Sequence, residues 1–121
     1  MKFSLAIFFF LLFGFTASLQ AQTANQKPKR IETSEFSVKG VCDMCEARIE
    51  KAALIKGVKF VEWNKEAQTV KVIYASKKVS EEDIHLAIAG VGHDTEKMMA
   101  DDGAYQTLPD CCAYRDGVEV H

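Results

Sequence analysis

The 121-residue chain has no basic block; its lysines and carboxylates are interspersed, so it lacks the electrostatic footprint of a nucleic-acid partner. It has no paired carboxylates, no serine–histidine constellation and no phosphate loop. Hydrolase and transferase chemistry therefore finds no support. No internal repeat of about 20–50 residues is present, which excludes solenoid and array folds. Prolines are scarce, with only Pro28 and Pro109. No apolar run reaches the ~20 residues that a membrane-crossing helix needs.

The one long apolar run is Leu5 to Phe15. It follows Lys2 and is followed by small and polar residues through Ala17-Ser18-Leu19-Gln20-Ala21. That layout is a secretory signal peptide over residues 1–21, with cleavage after Ala21 and Gln22 as the new N-terminus. An uncleaved N-terminal anchor is the alternative. No cysteine stands at the cleavage point, so a lipoprotein anchor is not expected. The cleaved chain would be periplasmic or otherwise exported, with no stable membrane insertion. It would carry a formal charge of −3 instead of −2, because Lys2 is the only charged residue removed. What remains is enough for one small domain with one core.

Four cysteines survive the cut: Cys42, Cys45, Cys111 and Cys112. In an exported chain an even count first suggests disulfides. Bonding within either pair would close only a tiny loop and restrict the unfolded chain little. A vicinal Cys111–Cys112 bond would also be strained. Only a cross-link between the pairs would be a useful staple.

Residues 22–33 are polar and aperiodic and read as a flexible leader. Glu35 to Lys39 alternates, with Phe36 and Val38 on one face, as a half-buried strand does. Gly40-Val41-Cys42-Asp43-Met44-Cys45 follows, and then Ile49, Ala52 and Ala53 recur at helical spacing up to a stop at Gly57. Val58 to Trp63 and Thr69 to Tyr74 read as two strands joined by a turn. Ser80 caps a second helix, whose Ile84, Ala87, Ile88 and Val91 form one buried face. Asp94 to Ala100 is the candidate fourth strand. The order is strand–helix–strand–strand–helix–strand over residues 34–100. This predicts an α+β, ferredoxin-like βαββαβ sandwich, an antiparallel sheet with two helices on one face. The tail, 101–121, is too poor in apolar residues for a core of its own. Its Tyr105, Leu108 and Tyr114 suggest that part of it lies back on the domain.

Cys42 and Cys45 thus fall where a loop meets a helix N-terminus, a place that lowers thiol pKa values and favours thiolate. Soft thiolates select Cu(I), Zn(II) or Hg(II) over Mg(II) or Ca(II). A pair alone suits low-coordinate Cu(I) or Hg(II), since zinc normally takes four ligands. The same arrangement also serves thiol–disulfide exchange.

With its Cys-x-x-Cys at the first loop-to-helix junction, this element order resembles the heavy-metal-associated domain. That family includes copper chaperones, the N-terminal domains of copper-transporting ATPases and periplasmic mercury-binding proteins. The resemblance spans Ser34 to Ala100. It implies a metal-binding, non-enzymatic protein that holds its ion on Cys42 and Cys45 and exchanges it stepwise with a partner thiolate. The implied partner is a metal-transporting ATPase or another thiol-containing metal protein, with the chain a monomer or a metal-bridged dimer.

Three positions depart from the family. Gly40 stands where methionine usually packs beneath the loop, which suggests a more mobile loop. Asp43 sits between the cysteines, where its charge opposes forming two thiolates. It is read as a solvated carboxylate, with an oxygen ligand for zinc as the sharper alternative. Met44 either offers a thioether or covers apolar surface. His93, in Val91-Gly92-His93-Asp94, occupies the place of a frequent aromatic near the metal. It is a candidate third ligand for a trigonal S₂N site, with a solvated loop histidine as the bland alternative.

Cys111 and Cys112 lie beyond the family domain. They either complete a four-thiolate site with Cys42 and Cys45, form a second low-coordinate site, exchange disulfides with the first pair, or staple the tail. Cu(I) is the favoured ion, with Zn(II) or Hg(II) as alternatives. A thiol–disulfide oxidoreductase is the second reading, but neither proline sits ahead of a strand of the domain, where thioredoxin-like folds keep their cis-proline. A disulfide-stapled interaction module without metal is the third.

Overall fold

The computed structural model describes residues 30–121. The expected signal peptide and most of the expected leader lie outside the described residues. Strand β1 (Ile31–Ser37), helix α1 (Asp43–Ala53), strands β2 (Val58–Asn64) and β3 (Thr69–Ala75), and helix α2 (Glu81–Ala89) follow in order. A short helix α3 (Asp102–Tyr105) and two 3₁₀ turns (Asp110–Cys112 and Tyr114–Asp116) make up the tail.

The sheet is three-stranded and antiparallel, in the order β1-β3-β2. Its register places Phe36 opposite Val70 on one side and Trp63 opposite Val70 on the other. The side chains of a strand alternate between faces, so Val70, Val72 and Tyr74 of β3 all point inward. They join Phe36 and Trp63 in a core closed by Ile49 and Ala53 of α1 and Ile84 and Ile88 of α2. Both helices therefore serve the same face. At α2, the Asp83 N–H donates to Ser80 Oγ while the Ser80 N–H donates to the Asp83 carboxylate. This reciprocal cap satisfies two otherwise orphaned donors.

The expected architecture changes in three places. β1 begins at Ile31, so residues 31–33 belong to the sheet and not to a leader. α1 ends at Ala53, before Gly57, because Leu54, whose N–H still bonds to the Glu50 carbonyl, swings to a non-helical ψ of 52°, and the Val58 N–H then closes a turn on the Ile55 carbonyl. The fourth strand, expected over Asp94 to Ala100, is reduced to a single bridge between Val38 and Thr95 among the described residues. The reason is local. The Thr95 N–H donates to the Met98 carbonyl, and the Met98 N–H donates to Thr95 Oγ1. The segment closes on itself, as threonine side chains permit when they offer the backbone an alternative to a ladder.

The tail folds over the end of the domain where Cys42 and Cys45 lie. Cys112 is completely buried, and Leu108, Cys111, Tyr114 and Val118 pack against the core. Tyr114 Oη donates to the Gly92 carbonyl (2.7 Å) and accepts from the Asp94 N–H (2.9 Å). Arg115 grips the Asp94 carboxylate through Nη2 (2.6 Å) and Nε (3.2 Å), donates to the Ala100 carbonyl, and lies over the Tyr105 ring. Such two-point guanidinium–carboxylate contacts fix orientation as well as adding energy. Gly92 makes the close approach possible. Its φ is +103°, and a Cβ there would sit 2.7 Å from the Ala104 carbonyl. At the chain's end, the His121 N–H donates to the Val41 carbonyl.

Candidate metal centre

Cys42 holds the N-cap position of α1 in an extended conformation, and Cys45 lies in the helix's first turn, facing the core. The loop before them is shaped by Trp63. A Cβ at Gly40 would lie 2.8 and 2.9 Å from two carbons of the Trp63 ring and 3.1 Å from Cys45 Cβ. The indole fills the space beneath the loop and donates Nε1–H to the Val38 carbonyl (3.1 Å). Glycine stands at position 40 where the Trp63 ring occupies the volume a side chain would need.

The tail brings a third sulfur to the pair. Cys42 Sγ is 3.5 Å from Cys45 Sγ and 3.3 Å from Cys112 Sγ. All three sulfurs lie within 4.8 Å of one another, and all three residues are buried. Sulfurs each bound at about 2.3 Å to one ion in a trigonal arrangement stand about 4 Å apart. The three thiols are thus already spaced within an ångström of what a shared ion requires. Cys111 Sγ lies farther out, 3.9 Å from Cys42 Sγ, and donates to the Met44 thioether at 3.5 Å. No disulfide links any of the four.

The thiols differ in acidity. Burial pushes Cys42 upward, but the Cys45 N–H, the Cys112 and Cys45 thiols and the Met44 N–H outweigh it and bring its pKa down to about 7. Burial raises Cys45. Burial also raises Cys112, reinforced by Cys45 and Cys42, to which its proton is shared. The arrangement puts the most acidic of the three thiols at the helix start, where backbone N–H groups and dipole favour its thiolate, beside two neighbours whose acidity is suppressed.

The remaining sequence candidates are placed as follows. Asp43 faces solvent and pairs with Lys65 Nζ at 3.2 Å, so its charge is countered from outside the loop. Met44 is exposed beside Cys111. His93 is fully buried, with its Nδ1–H donated to the Lys39 carbonyl at 2.7 Å and its ring stacked on Tyr114. Its Nε2 has no hydrogen-bond partner, and it is not among the ligand atoms gathered around Cys42. Desolvation lowers its pKa and keeps the ring neutral. His85 is also buried, stacked on Phe36 and held between Thr95 Oγ1 and Glu81. Sequence reasoning did not reach Trp63, Tyr114 or Arg115 as the residues that shape the site.

The heavy-metal-associated domain matches residues 35–94. A solved metallochaperone, CopZ, is 30% identical with a TM-score of 0.51, over 53% of this chain and 98% of that one. The chain belongs to the heavy-metal-associated domain family. The Cu(I)-loaded N-terminal domain of a potential copper-translocating P-type ATPase from Bacillus subtilis is 34% identical, with a TM-score of 0.51, over 54% of this chain and 84% of that one. Oxidized MerP from Ralstonia metallidurans CH34 is 26% identical, with a TM-score of 0.52, over 55% and 94%. No curated protein matches the chain. The family match stops at Asp94, so it takes in Cys42 and Cys45 but neither Cys111 nor Cys112. Among the described residues no helix is long and apolar enough to cross a membrane.

Proposed function

We propose that the protein is an exported carrier of a soft metal ion, Cu(I) before Hg(II) or Zn(II), held by Cys42, Cys45 and Cys112. The observation that carries this reading is the convergence of three buried sulfurs within 4.8 Å of one another. Three thiolates, with no fourth ligand atom within that range of all three among the described residues, suit a trigonal soft ion better than tetrahedral zinc. The ion here is cargo. The chain's own residues hold it, exclude water from it through the folded-over tail, and keep one thiol near neutrality as the first ligand.

The class of partner supported by the relatives is a metal-transporting ATPase or another thiol-bearing metal protein. Transfer would then proceed by ligand exchange, an incoming thiolate taking the place of Cys112. Export rests on the Leu5–Phe15 run and the residues after it. In an oxidising compartment a bond between Cys42 and a neighbouring sulfur would block the site, so bound metal or a reducing partner must protect it.

The test is to load the reduced protein separately with Cu(I), Zn(II) and Hg(II) and determine affinity and stoichiometry, alongside Cys42→Ser and Cys45→Ser. Retention of Cu(I) against a thiol competitor, lost in both variants, is expected. Failure of every ion to survive the competitor would end the carrier reading. Efficient reduction of insulin disulfides would move the assignment to thiol exchange.

A further inference from the structure

Met44 and Cys111 are not needed for the three-sulfur centre, yet they touch. Cys111 Sγ donates to Met44 Sδ at 3.5 Å, from the tail across to the first turn of α1. Met44 is 56% exposed, and Cys111 is only partly buried. An isolated exposed methionine usually covers neighbouring apolar surface. Here its sulfur instead meets the one thiol that the buried centre leaves out. The same Cys111 sulfur lies 3.9 Å from Cys42 Sγ, which in turn is 3.5 Å from Cys45 and 3.3 Å from Cys112. The soft donors therefore form a continuous chain from solvent to core: Met44, Cys111, Cys42, and then Cys45 with Cys112.

From this chain we infer a second soft-metal site at the mouth of the first, formed by Met44 Sδ and Cys111 Sγ with Cys42 Sγ shared between the two. The inference rests on the carrier reading above and adds a capacity for a further ion. A thioether and a thiolate together suit Cu(I), since thioethers are soft, neutral donors, whereas zinc takes thiolate, imidazole and carboxylate ligands. The spacings of 3.5 and 3.9 Å are close to the about 4 Å separating sulfurs around one trigonal ion. Binding forms Cu–S bonds to the three sulfurs and releases the Cys111 thiol proton to solvent, with no change of oxidation state. Because Cys42 belongs to both sites, an ion on the exposed pair can move inward without ever being free: Cys45 and Cys112 replace Met44 and Cys111 as ligands, and of the two thiol protons they release one returns to Cys111 and one goes to solvent. The mouth site is the place where cargo is received or surrendered.

The experiment is native mass spectrometry of the purified, reduced chain titrated with Cu(I) under anaerobic conditions, with Zn(II) as a parallel arm. Met44→Leu and Cys111→Ser are compared with the wild type, and circular dichroism checks that each variant folds, since Met44 is exposed but Cys111 packs against the core. The expected result is two Cu(I) per monomer for the wild type and one for each variant, with a single Zn(II) in all three. A wild type that takes one Cu(I), a Met44→Leu form that still takes two, or a second ion seen only in dimers overturns the mouth site. One Cu(I) that disappears in Cys42→Ser would leave the carrier reading standing while removing this one. No retained ion at all would remove both.

Discussion

Cys112 Sγ lies 3.3 Å from Cys42 Sγ although the residues are 70 positions apart. The closed contact turns a two-cysteine loop into a three-thiol centre, and nothing in the family-matched segment supplies that third sulfur. The ligand set thus depends on a tail whose position depends on other residues, and each dependence can be measured.

Cys112→Ser should lower Cu(I) affinity on the order of a hundredfold, one thiolate's share of the binding energy of a thiolate site. Cys111→Ser should leave affinity for the first ion unchanged. Competition against a Cu(I) chelator reads both. Equal losses in the two variants would mean that the tail acts as a unit and that the 3.3 Å contact has no special part.

Arg115→Ala should release the tail. It removes the two-point contact with Asp94, the bond to the Ala100 carbonyl and the stacking on Tyr105. Charge-assisted hydrogen bonds of this kind contribute about 1.5–3 kcal/mol each when partly buried, and are not additive. The expected result is faster amide exchange over residues 108–121 and weaker Cu(I) binding, with β3 and α2 protection unchanged. Unchanged exchange in the tail would show that Tyr114 and the His121–Val41 bond hold it without Arg115.

The strand-helix-strand-strand-helix order and the Ser80 cap were legible because they follow from period and from side-chain chemistry over a few residues. The fourth strand was not, because alternation is weak over Asp94 to Ala100 and Thr95 diverts the backbone of Met98. Cys42 and Cys45 were legible as a pair by spacing and by their place before a helix. Cys112 read as one of several possible partners of that pair; that it, more closely than Cys111, approaches both was not legible, since the tail is placed by Tyr114, Arg115 and Gly92 acting across the fold. His93 read as a candidate third ligand, and no sequence pattern reveals that its Nδ1 faces the Lys39 carbonyl while its Nε2 has no partner. Asp43 read as a charge opposing thiolates, and only the fold supplies Lys65 beside it.

Gly40→Ala should destabilise the protein by about 1–3 kcal/mol, the usual cost of overpacking a tight core. The new methyl would meet the Trp63 ring at 2.8 Å, and that ring is pinned by its bond to Val38. Trp63→Phe removes the crowding atoms while costing packing and a hydrogen bond. The two changes should therefore be less harmful together than their sum, a coupling that denaturant titrations of the double-mutant cycle would detect. Strict additivity would mean that the loop moves aside instead.

Glu81 links acid stability to the packing of α2 on β1. Its carboxylate bonds to Lys97, Ser34 and His85, which hold its pKa at about 2 against an ordinary 4.5. A depressed carboxylate stabilises the fold fully above its unfolded value and loses that contribution as the pH falls through its folded value. The window for Glu81 is therefore from about 4.5 down to about 2. His85 works in the same direction at higher pH, because burial lowers its pKa and disfavours the charged ring in the fold. Glu81→Gln should cost about 1–2 kcal/mol at neutral pH, allowing for solvent around the partly exposed Lys97. The gap between wild type and variant should hold steady from pH 7 to 5 and close below 4.5. Urea unfolding across that range measures it, and a gap as large at pH 2.5 as at pH 5 would show that Glu81 acts through packing and not through its charge.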